Sequence, residues 1–353
     1  MREPGRIQIE ALLRRAILGG PVRRALSRAA ILLAITAVLV ELGCQAYTVW
    51  LHREWEGMKT MPKHYYQPSA NPRLVYELRR GYDVFHEQRH LHVNRHGYRD
   101  DSDDGGRGTR TGTGAAERVA ILGDSVVFGI DLSQDETLPA RVQERLDLAL
   151  APTAQRVKVV NVGVPGYGLA EMPDLLREAD AVYGFSKVVY VLNPNDFSLR
   201  DSRWEGADNG IYRMYQLPLL KTPWFVRKAI YRHEKAQVDP TPHWYEWLYA
   251  GTKAVNLRYL GEMADYARGK GIVLSVLLLP VASCYQGQGA ARRFLLADEY
   301  REIGAYCAAH GLRCVDVSDT FPSSNPETFE ETDHFVAAGA RAMADVVVER
   351  FLR

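Results

Sequence analysis

The chain has 353 residues, 46% hydrophobic and 25% charged, an ordinary globular composition that excludes a collagen-like, coiled-coil or wholly disordered protein. Lys and Arg number 44 against 43 Asp and Glu, so the chain lacks the basic excess of a protein that wraps nucleic acid, and no nucleic-acid partner is expected. Four cysteines in this length are too few for a disulfide scaffold.

The near-neutral balance hides a basic head. Residues 1–28 hold seven Arg and two acids. From Ala29 to Leu51 follow 23 mainly apolar residues, and about 20 suffice to cross a bilayer as a helix. The flaw is Glu41, with Gln45 one turn later. A carboxylate at a helix centre costs about 2.5–3.5 kcal/mol on insertion scales, and less near an end. Tyr47 and Trp50 mark the aromatic end of the run, and the Arg cluster predicts that the other end stays cytoplasmic. The expectation is a cytoplasmic segment over 1–28, a single-pass signal anchor over 29–51 and the bulk of the chain outside the cytoplasm. A cleaved signal peptide and a buried amphipathic helix are the alternatives. No clean small-residue cleavage site follows the apolar core, and Glu41 spoils a lipoprotein box at Gly43-Cys44.

Residues 52–116 read as a strand-rich lead-in and linker. Leu74–Leu78 and Leu91–Val93 alternate as short strands do. Asp100–Gly114 has a linker composition without apolar residues. His86, His90, His92 and His96 form a loose cluster. A polar surface is the better reading of it than a metal site, and no metal is expected.

Beyond the linker the period becomes βα. Strands are predicted at Val119–Leu122, Val157–Val162, Lys187–Leu192, Ile272–Leu279 and Cys314–Val317. Helices are predicted at Leu138–Leu150, Glu171–Val182, Tyr259–Lys270, Ala290–His310 and Val336–Leu352. Near-continuous apolar strands between helices mean a parallel sheet covered on both faces. The predicted fold is α/β: a three-layer, doubly wound sheet of about five parallel strands over 117–353. An aromatic insertion at 197–250 holds Trp204, Trp224, Trp244 and Trp247. It is either a helical decoration with its own small core or a wall at the carboxyl edge of the sheet.

Ligands of open parallel sheets bind outside the carboxyl ends of the strands. The first strand exits into Gly123-Asp124-Ser125, the second into Asn161-Val162-Gly163-Val164-Pro165-Gly166, and the third into Asn193-Pro194-Asn195-Asp196. Glu331-Thr332-Asp333-His334 precedes the last helix. A Ser, a Gly-rich backbone turn, an Asn and a His at ends that one sheet brings together are the inventory of acyl transfer: nucleophile, oxyanion donors and general base. The spacing of Gly163, Gly166 and Gly168 does not match a dinucleotide fingerprint, and no cofactor is expected.

Over residues 117–353 this ordered set resembles the SGNH (GDSL) hydrolase superfamily, including its bacterial membrane-anchored members. The resemblance implies the flavodoxin-like SGNH fold and a serine esterase. It places the nucleophile on Ser125 and the base on His334. The oxyanion hole falls on the Ser125 amide, the Gly166 amide and the Asn195 side chain. Two positions depart from the family pattern: Asn193 replaces a Gly, and Glu331 replaces the Asp three residues before the His. Glu331 is the expected orienting acid, with the adjacent Asp333 or a backbone carbonyl as competitors. Asp124 and Asp196 read as structural residues that hydrogen-bond loop amides. With the anchor, the expected substrates are ester-linked acyl groups of envelope glycans or lipids. An O-acetyltransferase of exported polysaccharide and a non-catalytic glycan-binding protein are the alternatives. Cys307 and Cys314 end a helix and begin a strand across a short turn, where a disulfide is the lesser reading and free thiols the favoured one.

Overall fold

A computed structural model describes residues 20–57, 65–86, 89–101, 117–151, 156–197, 219–238, 243–287, 293–319 and 334–353. The chain divides into two compact units, Met1–Gly57 with Leu217–Val226, and Met58–Gln216 with Arg227–Arg353.

The first unit is built on α1, Gly20–Gly57. Its Gly20–Leu51 stretch is apolar, and its apolar core is exposed. Among the described residues it is the one helix long and apolar enough to cross a membrane. It is longer at both ends than the expected 29–51 run. No helix breaker separates the Arg-rich approach from the apolar core, so the backbone hydrogen bonding continues through both.

The second unit opens with two antiparallel strand pairs, β1 (Tyr66–Pro68) with β2 (Tyr76–Leu78), and β3 (Asp83–His86) with β4 (Arg89–His92). The strand expected from Leu74 starts two residues later, because Val75 adopts φ +67° and turns the backbone just before it. This lead-in lies on the rest of the unit. Tyr76 Oη donates to the Pro165 carbonyl at 3.0 Å, and Asn94 Nδ2 donates to Tyr183 Oη at 2.8 Å.

Next come β5 (Glu117–Gly123), α2 (Ser125–Phe128), α3 (Leu138–Leu150), β6 (Val157–Gly163), α4 (Met172–Tyr183) and β7 (Lys187–Leu192). They are followed by α5 (Thr222–Val238), α6 (His243–Lys270), β8 (Val273–Leu278), β9 (Tyr285–Gln286), β10 (Arg293–Phe294), α7 (Ala297–Ala309), β11 (Arg313–Asp316) and α8 (Ala337–Val347). The five parallel strands stand in the order β11-β8-β7-β5-β6. This is the doubly wound sheet flanked by helices that the sequence predicts. The order reverses between β5 and β7, and their carboxyl ends form the switch point where a crevice opens. The last five residues of β5, β6, β7 and β8 are all buried, as expected of strands covered on both faces.

Two helices differ from the sequence expectation. The helix expected from Tyr259 begins at His243, inside the aromatic insertion. Its buried stripe before Tyr259 includes Thr252 and Asn256, bonded to each other at 3.0 Å, and polar residues at inward positions hide the apolar period. The helix expected from Ala290 starts at Ala297, because Arg293–Phe294 pairs as a short strand with Tyr285–Gln286. No disulfide joins the four cysteines, so the lesser reading of a Cys307–Cys314 pairing is not met. The two thiols instead share a hydrogen bond. Among the described residues no three His, Cys, Asp or Glu side chains gather as a metal site.

Candidate active site

The exits of β5, β6 and β7 are tied together by backbone bonds. Val164 N donates to the Gly123 carbonyl at 3.1 Å, and Leu169 N donates to the Asp196 carbonyl at 2.8 Å. Ser125 opens the single turn α2 directly after β5 and is 93% buried. Asp124 caps this turn, its carboxylate accepting the Val126 N–H at 2.9 Å. The turn rests on the end of β6. A Cβ on Gly163 would lie 2.2 Å from the Phe128 nitrogen, a distance no side chain tolerates. Glycine there is what lets the Ser125 turn sit so low on the sheet.

The carbonyl end of α2 is held from two sides. Asn161 Nδ2 donates to the Val127 and Phe128 carbonyls at 3.1 and 3.3 Å. Arg99, from the lead-in, donates to the carbonyls of Phe128 (2.9 Å), Gly129 (2.6 Å) and Leu132 (2.7 Å) and to Gln134 Oε1 (3.1 Å). Burial pushes the Arg99 guanidinium down to about 10, opposed by Tyr65 and Asp101. Cations at a helix carbonyl end also complement its dipole. Sequence reasoning placed Arg99 at the edge of a linker and missed this role. An Arg followed by acids carries no local sign that its partners lie some 30 residues ahead.

His334 brings its Nε2 to 2.9 Å from the Ser125 hydroxyl oxygen. The same hydroxyl lies 3.3 Å from Asp124 Oδ2. One hydroxyl proton serves one acceptor at a time, and the shorter approach is to the imidazole. Asn195, exposed in the turn Pro194–Asp196 after β7, directs its side chain to Asp124. Burial pushes the Asp124 carboxyl up, opposed by the Val126 N–H, by charge on His334 and by the Asn195 and Ser125 side chains. Asp124 thus joins Ser125, His334 and Asn195 in one cluster. Gly166 stands at the neighbouring β6 exit with φ +81°, exposed. Glu331 and Asp333 lie outside the described residues.

Asp196 is fully buried, and its Oδ2 accepts the Asn193 N–H at 3.0 Å and the Tyr190 hydroxyl at 2.6 Å. It shapes the turn that carries Asn195. Asn193, where the family pattern has Gly, is 98% buried and folds its own side chain back to the Asn195 N–H at 3.4 Å.

No protein-family model matches the chain, and no curated protein matches it in sequence. Among solved structures it is similar to TesA, with a TM-score of 0.43 at 17% identity over 66% of this chain and 97% of that one. It is similar to the lipase/acylhydrolase from Enterococcus faecalis, with 0.39 at 17% over 66% and 94%. A carbohydrate esterase family 2 enzyme with a carbohydrate binding domain from Corynascus thermopiles scores 0.37 at 14% over 68% and 67%.

Proposed function

We propose that the chain is a membrane-anchored serine ester hydrolase of the SGNH type. The observation that carries this reading is the Ser125–His334 contact of 2.9 Å at the switch point of a doubly wound sheet. It is a nucleophile within reach of its base, in the crevice where such sheets bind ligands.

In this reading neutral His334 accepts the Ser125 proton through Nε2 as Oγ attacks the ester carbonyl. The tetrahedral oxyanion is held by the Ser125 and Gly166 amides and the Asn195 side chain. The imidazolium then returns its proton to the leaving alcohol. Water repeats the cycle on the acyl enzyme, releasing acid and restoring Ser125. Glu331 orients His334. Collapse of Asn195 onto Asp124 in the free protein keeps the oxyanion donor close until a carbonyl oxygen replaces the carboxylate as its acceptor.

Helix α1 anchors the protein as a single span, and its Arg-rich approach keeps the N-terminus cytoplasmic and the hydrolase outside. An anchored esterase meets envelope material, so the substrates are ester-linked acyl groups of glycans or lipids there. The test is hydrolysis of p-nitrophenyl acetate by the full chain with fluorophosphonate labelling mapped by peptide mass. Turnover with labelling at Ser125 is the expected result. Neither turnover nor labelling would mean a non-catalytic protein.

A further inference from the structure

The carboxylate that spoils the apolar run has a partner. Glu41 Oε1 accepts the Lys221 N–H at 2.8 Å, and Oε2 accepts the Thr222 N–H at 2.9 Å. One turn along the same face, Gln45 Nε2 donates to the Leu219 carbonyl at 2.7 Å and to Glu41 Oε1 at 2.6 Å. Thr222 is the first residue of α5. The two polar residues of α1 thus satisfy backbone groups that the start of α5 and the segment before it leave open.

Lipid offers no hydrogen bonds, so irregular backbone enters a bilayer only where protein satisfies it. That is the service Glu41 and Gln45 perform. A second contact gives direction: the rings of Tyr47 and Phe225 are 5.7 Å apart. Going from Glu41 to Tyr47 and from Lys221 to Phe225, both segments advance the same way, by about 9 and about 6 Å at the helical rise. The start of α5 therefore lies below the aromatic end of α1 and climbs toward it. The side chains it turns outward are apolar: Leu219 is 88% exposed, Leu220 58% and Val226 53%. Arg227 and Lys228 come next, basic residues suited to a headgroup layer.

We propose that Leu219–Val226 is a second membrane-embedded segment, which dips into the leaflet at the aromatic end of α1, with Leu219, Leu220 and Val226 against acyl chains and its backbone capped by Glu41 and Gln45. The inference rests on α1 being a membrane span, and the occupant of the apolar surface is the lipid that surrounds α1 itself. The exposed α1 side chains Leu32, Leu39 and Leu42 are 63%, 62% and 58% exposed. The segment belongs to the same compact unit as these side chains. The segment gives the intramembrane carboxylate a purpose, and it holds the protein to the leaflet at two points.

The test places a photoreactive benzophenone side chain at one position at a time in the full chain, reconstituted in phosphatidylcholine vesicles. The positions are Leu219, Leu220, Leu32 in α1 and Leu148, which is 65% exposed on α3. Lipid adducts are read by mass after irradiation. The expected yields at 219 and 220 lie within about threefold of that at 32 and at least about tenfold above that at 148. Adducts at 32 with yields at 219 and 220 no higher than at 148 would overturn the dip and leave the anchor standing. Absence of adducts at 32 would overturn the span and the inference together. The cap is read separately by amide exchange of the 219–226 peptide in vesicles. Glu41→Leu should speed it by about tenfold or more, while Glu41→Gln, which keeps one acceptor, should have a smaller effect. Unchanged exchange in Glu41→Leu would overturn the capping role.

Discussion

His334 and Ser125, 209 residues apart in sequence, meet at 2.9 Å between Nε2 and Oγ. Asp124 closes the other side of the hydroxyl at 3.3 Å. In the proposed mechanism His334 takes the serine proton, and the Asp124 carboxylate favours the imidazolium that forms. Ser125→Ala should abolish both ester turnover and fluorophosphonate labelling, with the thermal unfolding midpoint little changed, since only one oxygen is removed. Labelling that persists in Ser125→Ala would place the nucleophile elsewhere.

Asn195 should separate nucleophile chemistry from oxyanion stabilisation. Asn195→Ala leaves Ser125 and His334 in place, so labelling should survive. Turnover should fall by about 10²–10³, the usual loss for one oxyanion donor. The loss should appear in kcat more than in KM, because the donor acts on charge that develops in the transition state. An unchanged kcat would make Asn195 only a partner of Asp124.

The acid is decided by comparing two conservative changes. Glu331→Gln should lower kcat by about 10⁴, as loss of the acid of a Ser-His-Asp triad can do, while Asp333→Asn should have a far smaller effect. The reverse pattern would transfer the role to Asp333. Small losses in both would mean a Ser-His pair oriented by a backbone carbonyl.

Arg99 should act on the site at a distance. Arg99→Met leaves the carbonyls of Gly129 and Leu132 without their buried cationic donor and should cost about 3 kcal/mol or more of stability. The residual folded enzyme should show a lowered kcat as the Ser125 turn loosens. Arg99→Lys should restore only part of the loss, since one ammonium cannot reach all the acceptors that the guanidinium fork serves. Denaturant midpoints and kcat of the two variants provide the check.

Asp196 predicts a pH dependence of stability. Burial, reinforced by the charge of Asp124, holds its carboxyl well above the ordinary carboxylate range, against the opposing Tyr190 and Asn193 hydrogen bonds. The folded state therefore binds the proton more tightly than the unfolded chain, whose value is about 3.9. This contribution to stability is complete below pH about 4 and is lost as the pH rises toward the raised value, at about 1.4 kcal/mol per pH unit. Asp196→Asn keeps an acceptor for Tyr190 and Asn193 and cannot ionise. Its stability relative to the wild type should rise between pH 4 and pH 7 in denaturant titrations. A constant difference across that range would show that Asp196 does not titrate there.

Features dictated by local chemistry were legible in the sequence. Apolar runs between helical periods predicted the five strands, and their exits predicted which residues stand at the carboxyl edge. Ser125 and Asn195 needed only the strand before each, because a parallel sheet sends every exit to one side. The long apolar helix was equally legible, since length and apolarity are sums over neighbours. Tertiary structure decided whatever depends on partners distant in the chain. Asn256 looks like a break in a helical stripe until Thr252 answers it. Arg99 looks like linker until its guanidinium meets the carbonyls after Ser125. Glu41 looks like an error in an apolar helix until the backbone of Lys221 and Thr222, 180 residues on, supplies the donors. In each case the cost or benefit of a polar group depends on a hydrogen-bond partner that only the folded chain brings within 3 Å or so.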